Sequence, residues 1–285
     1  MKIERIFLKE LYPILEKEDC NAYVDCYIPD PMYEMGTEML QRKYPCMVIC
    51  PGGGYARISE RESEPIAMHF IAEGYRVFAV HYSVAPHGFP QALREVAGVM
   101  EMIHSNAEAW KIDVYKIALM GFSAGGHLAA QYANRYDCPE IRDLFPNSKP
   151  VNANILNYAV LTANPQYMHV RSISTFVGHE PTSLEEKGCS CEFLVTEKTP
   201  PTFLWHTAED GVVPVENSML YAMALRKFKI PFELHVYPHG PHGLGTVDAL
   251  VNVEVNTCVK RAHKWIYEVK EWLDLQWDCY KEKAV

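Results

Sequence analysis

The sequence has no long apolar run, no excess of basic residues and no recognisable secretory signal. No stretch approaches the roughly 20 apolar residues that a membrane-spanning helix needs. The N-terminal segment MKIERIFLKELYPILEKEDC is charged throughout and lacks the apolar core of a signal peptide. With 27 basic and 36 acidic side chains, the formal net charge is −9, whereas nucleic-acid binders normally present a basic face. We therefore expect a cytoplasmic protein with no nucleic-acid or membrane partner.

Cysteines in a paired or metal-binding pattern are also lacking. The 9 cysteines are an odd number, and without a signal peptide they indicate free thiols in a reducing compartment. Cys189 and Cys191 form a C-x-C pair with no second Cys or His pair nearby, so they do not predict a zinc site. Cys46 and Cys50 lie in an apolar run and are expected to pack as small hydrophobic residues.

What the sequence does contain is a regular alternation of strand and helix signals. Apolar runs, most of them rich in β-branched residues, predict strands at residues 46–50, 76–82, 116–120, 154–160, 202–206 and 232–237. Stretches with helical spacing or strong helix formers predict helices at residues 63–73, 90–110, 127–133, 216–228 and 256–277. Four of the strand runs lack polar–apolar alternation, which is typical of a parallel sheet covered by helices on both faces.

This alternation predicts a single α/β domain over residues 1–285 with a mostly parallel central sheet. Residues 2–8 and 22–28 are extended segments near the start of the chain, and they are expected to add antiparallel strands at one edge. Residues 161–200 interrupt the pattern with polar composition and several prolines and glycines. A structureless loop of that length is uncommon inside a compact domain, so we interpret it as a lid-like or binding insertion, or as a surface excursion without a role.

A short motif, GFSAG at residues 121–125, fits the pattern G-x-S-x-G. Such a match often arises by chance, so the flanking sequence decides what it means. A predicted strand comes directly before it and a helix-forming stretch follows, which is the strand–turn–helix setting of a nucleophilic serine, here Ser123. In that turn Gly121 and Gly125 would avoid collisions with neighbouring segments. The backbone N–H of Ala124 would point at an oxyanion formed on an attacked carbonyl.

A second backbone donor is predicted in the glycine run of PGGGY, residues 51–55. The run follows a predicted strand, and three consecutive glycines let backbone N–H groups approach a ligand closely. Either Gly53 or Gly54 would supply the donor, and the sequence leaves that choice open. The alternative interpretation is a plain turn.

A serine becomes nucleophilic only when a base takes its proton and a carboxylate orients that base. In α/β folds that place a nucleophilic serine at such a strand–turn–helix, the order of the three residues along the chain is serine, acid, histidine. Asp210 and His242 each follow a predicted strand, so they emerge with Ser123 at the sheet edge where open α/β sheets place their sites. Asp210 is preferred to its neighbour Glu209, and His242 to the nearby His239. The histidines interpreted as structural are His69, His81, His127 and His206.

Five segments carry a family resemblance: PGGGY (51–55), SERESEPIA (59–67), GFSAGGHLA (121–129), TPPTFLWHTAED (199–210) and GPHGL (240–244). They resemble the α/β-hydrolase superfamily, and in particular its bacterial branch of acetyl-xylan and related carbohydrate acetylesterases. The resemblance runs from about residue 20 to 280. It implies the α/β-hydrolase fold and assigns Ser123, Asp210 and His242 as nucleophile, acid and base. Pro51 stands where the family often has a histidine, so rigidity of the proline would have to brace the glycine loop.

The resemblance implies a serine esterase that removes short acyl groups, chiefly acetyl, from small or oligosaccharide esters. It implies neither a metal nor an organic cofactor. Tyr55, Arg57, Tyr82 and Trp205 are candidates for a sugar-binding pocket, and aromatic residues are equally common in a core. The alternatives are a peptidase or dienelactone-type hydrolase of the same fold, and a non-catalytic ligand-binding protein. Assembly into a homo-oligomer is left open.

Overall fold

Eight strands form the central sheet within the described residues of this computed structural model, which are 1–16, 21–30, 41–182, 187–252 and 259–281. They are β1 (Lys2–Phe7), β2 (Tyr23–Ile28), β3 (Tyr44–Cys50), β4 (Arg76–His81), β5 (Ile112–Phe122), β6 (Ala153–Asn157), β7 (Thr202–Thr207) and β8 (Phe232–Tyr237). Their order across the sheet is β1-β2-β4-β3-β5-β6-β7-β8. The pairs β1–β2 and β2–β4 are antiparallel, and all other pairs are parallel. The predicted parallel sheet with two antiparallel edge strands is confirmed.

Helices cover both faces of this sheet. The longer ones are α1 (Glu64–Ile71), α2 (Gln91–Ser105), α3 (Ala124–Arg135), α4 (Val170–Val177), α5 (Glu216–Lys227) and α6 (Trp265–Lys281). Short helical turns span Leu8–Leu11, Pro13–Glu16, Glu60–Glu62, Pro139–Arg142, Cys191–Phe193 and Lys260–Lys264. Within the described ranges, no helix combines the length and the apolar character needed to cross a membrane.

The sheet separates two hydrophobic cores. Apolar side chains of α2, α3, α4 and α5 pack into one core, and those of α1 and α6 pack into the other. Successive residues of β3 alternate between them, since Val48 points into the first core and Met47 and Ile49 into the second. This two-sided burial explains why the strand runs are apolar without alternation.

Two predicted helices differ in extent from those observed. The helix predicted at residues 90–110 ends just before Asn106, whose side-chain amide donates to the carbonyl oxygen of Met102 at 2.9 Å and closes the last turn. The helix predicted at residues 256–277 begins at Trp265. The start of that prediction falls in residues 253–258, which lie outside the described part of the chain.

The predicted insertion at residues 161–200, between β6 and β7, is not structureless. Residues 183–186 lie outside the described part, and the remainder contains α4 and tightly packed turns. The inner face of α4 places Ile173 and Phe176 in the core, and Leu161 and Cys191 are fully buried beside it. The insertion therefore has regular structure of its own, which its polar composition did not indicate. A helix of two turns with several polar residues is too short for its periodicity to stand out in the sequence.

None of the cysteines whose side chains are described forms a disulfide, as expected: Cys26, Cys46, Cys50, Cys138, Cys189 and Cys191. Cys46 and Cys50 are fully buried in β3, and burial raises the pKa of both thiols. Their predicted packing as small hydrophobic residues is confirmed. The side chains of Cys20, Cys258 and Cys279 lie outside the described part of the chain.

The loops that carry the predicted site residues leave the sheet at one edge. Strands β3, β5, β7 and β8 run in the same direction, so their carboxyl ends lie on the same side. The glycine run follows β3, Ser123 follows β5, Asp210 follows β7 and His242 follows β8. Distant parts of the chain thereby meet above the sheet.

Candidate active site

Ser123 occupies the sharp turn between β5 and α3. Its backbone has φ 52° and ψ −119°, a strained conformation for a residue with a side chain. The Ser123 N–H donates to the carbonyl oxygen of Asn157 at 3.1 Å, and the Ser123 carbonyl accepts from the N–H of Val160 at 3.0 Å. These bonds fix the turn and present the hydroxyl at the N-terminal end of α3, where backbone N–H groups favour negative charge.

Two glycines permit this turn because the neighbouring backbone leaves no space for a side chain. A methyl group on Gly121 would lie 2.3 Å from the carbonyl oxygen of Gly125. One on Gly125 would lie 2.1 Å from the carbonyl oxygen of Cys50. Both separations are far shorter than van der Waals contact, so the prediction that these glycines avoid collisions is confirmed.

We expect Gly125→Ala to lower the free energy of unfolding by about 3 kcal/mol or more, because the new methyl group must displace the end of β3. Urea unfolding measures this change. Gly188→Ala is the matched control, since a methyl group there meets no described atom within 4 Å, and we expect it to change stability by less than about 1 kcal/mol. Equal stability of the two variants would contradict the packing described at the turn.

The structure brings Ser123, His242 and Asp210 together. His242 Nε2 lies 2.8 Å from Ser123 Oγ, and His242 Nδ1 lies 2.7 Å from Asp210 Oδ2. An ionised carboxylate can only accept hydrogen bonds, so the Nδ1–H of His242 donates to Asp210. Nε2 is then left without a proton and accepts the hydrogen bond of the Ser123 hydroxyl. This is the arrangement that a base-activated serine requires.

Asp210 is buried and held from several directions. Its Oδ1 accepts hydrogen bonds from the backbone N–H groups of Val212 and Val213, each at 2.9 Å. Its Oδ2 lies 3.2 Å from Nε2 of His206. Burial by itself raises the pKa of the Asp210 carboxyl, but hydrogen bonds from His206 and His242 hold that pKa below its ordinary value. The group therefore remains an ionised carboxylate oriented towards His242.

The alternative acid and base lie at the surface. Glu209 Oε1 is 2.8 Å from His239 Nδ1, and the two side chains are 59% and 51% exposed. Neither residue lines the cavity that contains Ser123. The preference for Asp210 over Glu209 agrees with this geometry. A buried carboxylate is fixed in place, whereas water competes for the hydrogen bonds of an exposed one.

Two histidines interpreted as structural have different surroundings. His127 is fully buried in α3 between the hydroxyl of Tyr55, 2.8 Å from Nδ1, and the carbonyl oxygen of Cys189, 2.8 Å from Nε2. Burial lowers the pKa of His127 to about 4, so its ring is neutral and supports the packing below the turn. His206 is also fully buried but contacts Asp210. It belongs to the site, which sequence reasoning missed.

The glycine run lies against Ser123. A methyl group on Gly52 would lie 3.0 Å from Cβ of Ser123, and the N–H of Gly52 donates to Oε2 of Glu62 at 2.8 Å. Gly53 and Gly54 adopt φ angles of 124° and 66°, which glycine reaches without strain. Both line the cavity beside Ser123, and their N–H groups have no acceptor among the residues that the structure describes.

Glu62 and Tyr158 join the glycine loop to the loop that carries His242. The Tyr158 hydroxyl donates to Oε1 of Glu62 at 2.7 Å and accepts from the N–H of Gly245 at 3.0 Å. The Tyr158 ring packs edge-on against His242, with ring centroids 5.1 Å apart. Burial raises the pKa of Tyr158, so its hydroxyl keeps the proton it donates. This buried network fixes the relative positions of the two loops.

A cavity of about 250 Å³ opens beside Ser123. Of the four residues predicted for a sugar-binding pocket, Arg57 lines it. The prediction is wrong for Tyr55, Tyr82 and Trp205, which are at most 2% exposed and do not line this cavity. These aromatic side chains lie on segments that helices cover, so they pack into the cores beneath the site.

Sequence reasoning also missed polar residues that line the cavity. His169 and Arg171 lie at the start of α4, within the insertion predicted at residues 161–200. His169 Nδ1 is 2.7 Å from Oγ of Ser172, and burial followed by the proximity of His242 lowers the pKa of His169. Arg61 lines the cavity from the loop after β3. Arg61 belongs to the segment SERESEPIA (59–67), which carries part of the family resemblance, but nothing in that segment indicates that Arg61 lines a cavity.

Known proteins resemble this chain in sequence and structure. The BD-FAE family model matches residues 35–225. An endo-1,4-β-xylanase B of Butyrivibrio fibrisolvens is 40% identical over 228 residues, covering 76% of this chain and 35% of that protein. An acetylxylan esterase of Xylanibacter ruminicola is 27% identical over 234 residues, covering 80% of this chain and 45% of that protein. The chain thus spans less than half the length of these two curated relatives.

A solved structure extends the likeness to most of the fold. The crystal structure of an acetyl ester-xyloside bifunctional hydrolase from Caldicellulosiruptor lactoaceticus matches with a TM-score of 0.72 and 33% identity, covering 88% of this chain and 89% of that one. Together with the sheet order, this shows the α/β-hydrolase fold. The matched family segment contains the glycine run, Ser123 and Asp210, and His242 follows it. The chain therefore belongs to the BD-FAE family of α/β hydrolases.

Proposed function

We propose that this chain is a serine esterase that removes short acyl groups, chiefly acetyl, from small or oligosaccharide esters. The observation that carries the proposal is the hydrogen-bonded series from Ser123 through His242 to Asp210, with separations of 2.8 and 2.7 Å. The series lies at the wall of a cavity large enough for a small ester. The names of similar proteins, an acetylxylan esterase and an acetyl ester-xyloside hydrolase, support ester hydrolysis and a carbohydrate substrate.

The reaction proceeds in two steps through an acyl-enzyme. Ser123 Oγ attacks the ester carbonyl while His242 Nε2 accepts the hydroxyl proton. Asp210 stabilises the imidazolium that forms, and His242 then gives its proton to the leaving alcohol. In the second step His242 takes a proton from water, which attacks the acyl-enzyme and releases the acid together with the free Ser123 hydroxyl.

The negative oxygen of each tetrahedral intermediate needs backbone donors. Ala124 is the first residue of α3, so its N–H has no acceptor within the helix. Gly52 does not serve, because its N–H donates to Glu62. We therefore assign the second donor to Gly53 or Gly54, whose N–H groups remain available. Loss of one such donor typically costs about 3 kcal/mol of transition-state stabilisation.

The cavity favours short acyl groups. Its volume of about 250 Å³ is below the roughly 300–1,000 Å³ that is typical of sites for larger ligands. Most of the side chains that line it are polar or charged, and Ala56 and Val212 are the apolar ones among them. A long acyl chain gains binding energy by burying apolar surface, and only these two side chains of the described lining are wholly apolar.

We expect the purified protein to hydrolyse p-nitrophenyl acetate with a kcat/KM at least about tenfold above that for p-nitrophenyl octanoate, because the additional methylene groups do not fit the cavity. We also expect it to release acetate from acetylated xylo- or manno-oligosaccharides. Release of nitrophenol measures the first result, and quantification of free acetate measures the second. Acetyl p-nitroanilide serves as the amide control.

Each part of the proposal has its own contradicting outcome. A preference for the octanoate ester would reject the short acyl group. Turnover of p-nitrophenyl acetate without acetate release from any sugar ester would keep ester hydrolysis and reject the carbohydrate substrate. Faster cleavage of the anilide than of the ester would favour a peptidase, and no turnover of any ester would favour a non-catalytic binding protein.

A further inference from the structure

The cavity beside Ser123 is basic in an acidic protein. Its charged lining consists of Arg57, Arg61, Arg171 and Glu62, which gives a net charge of +2 with neutral histidines. The whole chain has a formal net charge of −9. The positive cavity is therefore a local feature, and it does not follow from the overall composition.

The three guanidinium groups have no carboxylate partner among the described residues. The one acidic side chain in the lining, Glu62, is buried, and both of its oxygens accept hydrogen bonds, from Gly52 and Tyr158. Its role within the protein is therefore to hold the two loops. All three arginines are exposed, so water screens their mutual repulsion, and their guanidinium groups are accessible to an anionic ligand in the cavity.

Two of the arginines lie beside different loops of the site. A methyl group on Gly243, next to His242, would lie 3.3 Å from Nη2 of Arg61. A methyl group on Gly53 would lie 3.2 Å from Cγ of Arg57. In the proposed reaction His242 gives its proton to the leaving alcohol, so the alcohol part of the ester lies against the loop of His242. Arg61 is thus placed beside the alcohol part.

We infer that the enzyme prefers esters whose alcohol part carries a carboxylate, and that Arg61 binds this group. The inference rests on the proposed esterase activity and specifies its substrate class. Guanidinium groups bind carboxylates through two parallel hydrogen bonds, which give both energy and orientation. Among sugar esters, this chemistry fits an acetylated oligosaccharide that contains a uronic acid.

A matched pair of acetate esters tests the inference. 4-Acetoxybenzoate carries a carboxylate on its alcohol part, and methyl 4-acetoxybenzoate is its neutral counterpart. We expect Arg61→Gln to lower the ratio of kcat/KM for the charged over the neutral ester up to about fivefold, mainly through KM, since one charge-assisted contact of an exposed side chain is lost. Arg61→Lys should recover part of the ratio because it keeps the charge. Arg226→Gln, an exposed change of equal charge on α5, should leave the ratio unchanged.

A second pair of esters tests whether Arg61 acts on the alcohol part or on the acyl part of the substrate. 4-Nitrophenyl hydrogen succinate places the carboxylate on the acyl part, and 4-nitrophenyl methyl succinate is its neutral counterpart. A fall of the ratio for this pair alone in Arg61→Gln would overturn the assignment to the alcohol part. If Arg61→Gln left the ratio of kcat/KM for 4-acetoxybenzoate over methyl 4-acetoxybenzoate unchanged, including by an equal loss on both substrates, the role of Arg61 would be overturned. If the wild-type protein hydrolysed none of these esters, the proposed function itself would fail.

Discussion

Ser123→Ala is expected to lower kcat for p-nitrophenyl acetate by about 10⁵-fold or more, because no other group can form the acyl-enzyme. The Ser123 hydroxyl is the atom that His242 Nε2 contacts at 2.8 Å. Removing the hydroxyl leaves the backbone and the base in place, so KM should change much less than kcat. Steady-state kinetics on purified protein measures both constants.

Two controls accompany this variant. Ser105→Ala changes an exposed serine at the end of α2 and should leave kcat within about twofold of the wild type. A fluorophosphonate probe should add its mass to the wild-type protein and to Ser105→Ala, and not to Ser123→Ala. Labelling of Ser123→Ala with retained turnover would mean that a different residue is the nucleophile.

Asp210→Asn is expected to lower kcat about 10³- to 10⁴-fold, because a neutral amide no longer holds His242 in the tautomer that accepts the serine proton. Oδ2 of Asp210 is 2.7 Å from His242 and 3.2 Å from His206. An asparagine that keeps the bonds from Val212 and Val213 to its carbonyl oxygen must point its NH₂ group at these two rings. His242 would then present its unprotonated Nδ1 to the amide, and the wrong nitrogen would face Ser123.

Glu209→Gln is the matched control for this acid. It removes a carboxylate one residue earlier, which is 59% exposed and paired with His239. We expect kcat to remain within about twofold of the wild type, since exposed ion pairs contribute little. Urea unfolding of both variants shows whether a lower kcat results from slower catalysis or from a smaller fraction of folded protein. A larger loss of kcat in Glu209→Gln than in Asp210→Asn would reassign the acid.

Local sequence patterns were enough to locate the sheet and the proposed nucleophile. Apolar runs identify buried strands because a sheet covered on both faces requires apolar residues at every position. GFSAG could be interpreted because its meaning depends on the adjacent strand and helix, which are also local. Pro90 to Trp110 shows the limit, since the helix ends at Ser105 and residues 106–110 continue as turns, which the periodicity did not distinguish from helix.

Predictions for individual site residues agreed with the structure in some cases and not in others. Asp210 was preferred to Glu209, and His242 to His239, because of the residues that follow each of them, and the geometry agrees with that choice. Aromatic side chains were expected in the cavity because sugars favour them, and Trp205 lies instead in a core. Residue type alone does not tell whether a side chain beside a strand end faces the cavity or the interior.

The sequence by itself therefore predicted the strands and their mostly parallel arrangement, the turn at Ser123 and the choice of acid and base, because each depends on apolar pattern, on glycine sterics or on nearby residues at a strand end. The second histidine on Asp210, the link between Glu62 and Tyr158 and the arginines of the cavity depended on folding. His206 reaches Asp210 through the turn after β7, only four residues along the chain, whereas Glu62 and Tyr158 lie 96 residues apart and Arg171 comes from a segment far from Arg57 and Arg61. Contacts over the longer separations follow from how the packed elements place the loops, and no short segment of sequence contains that information.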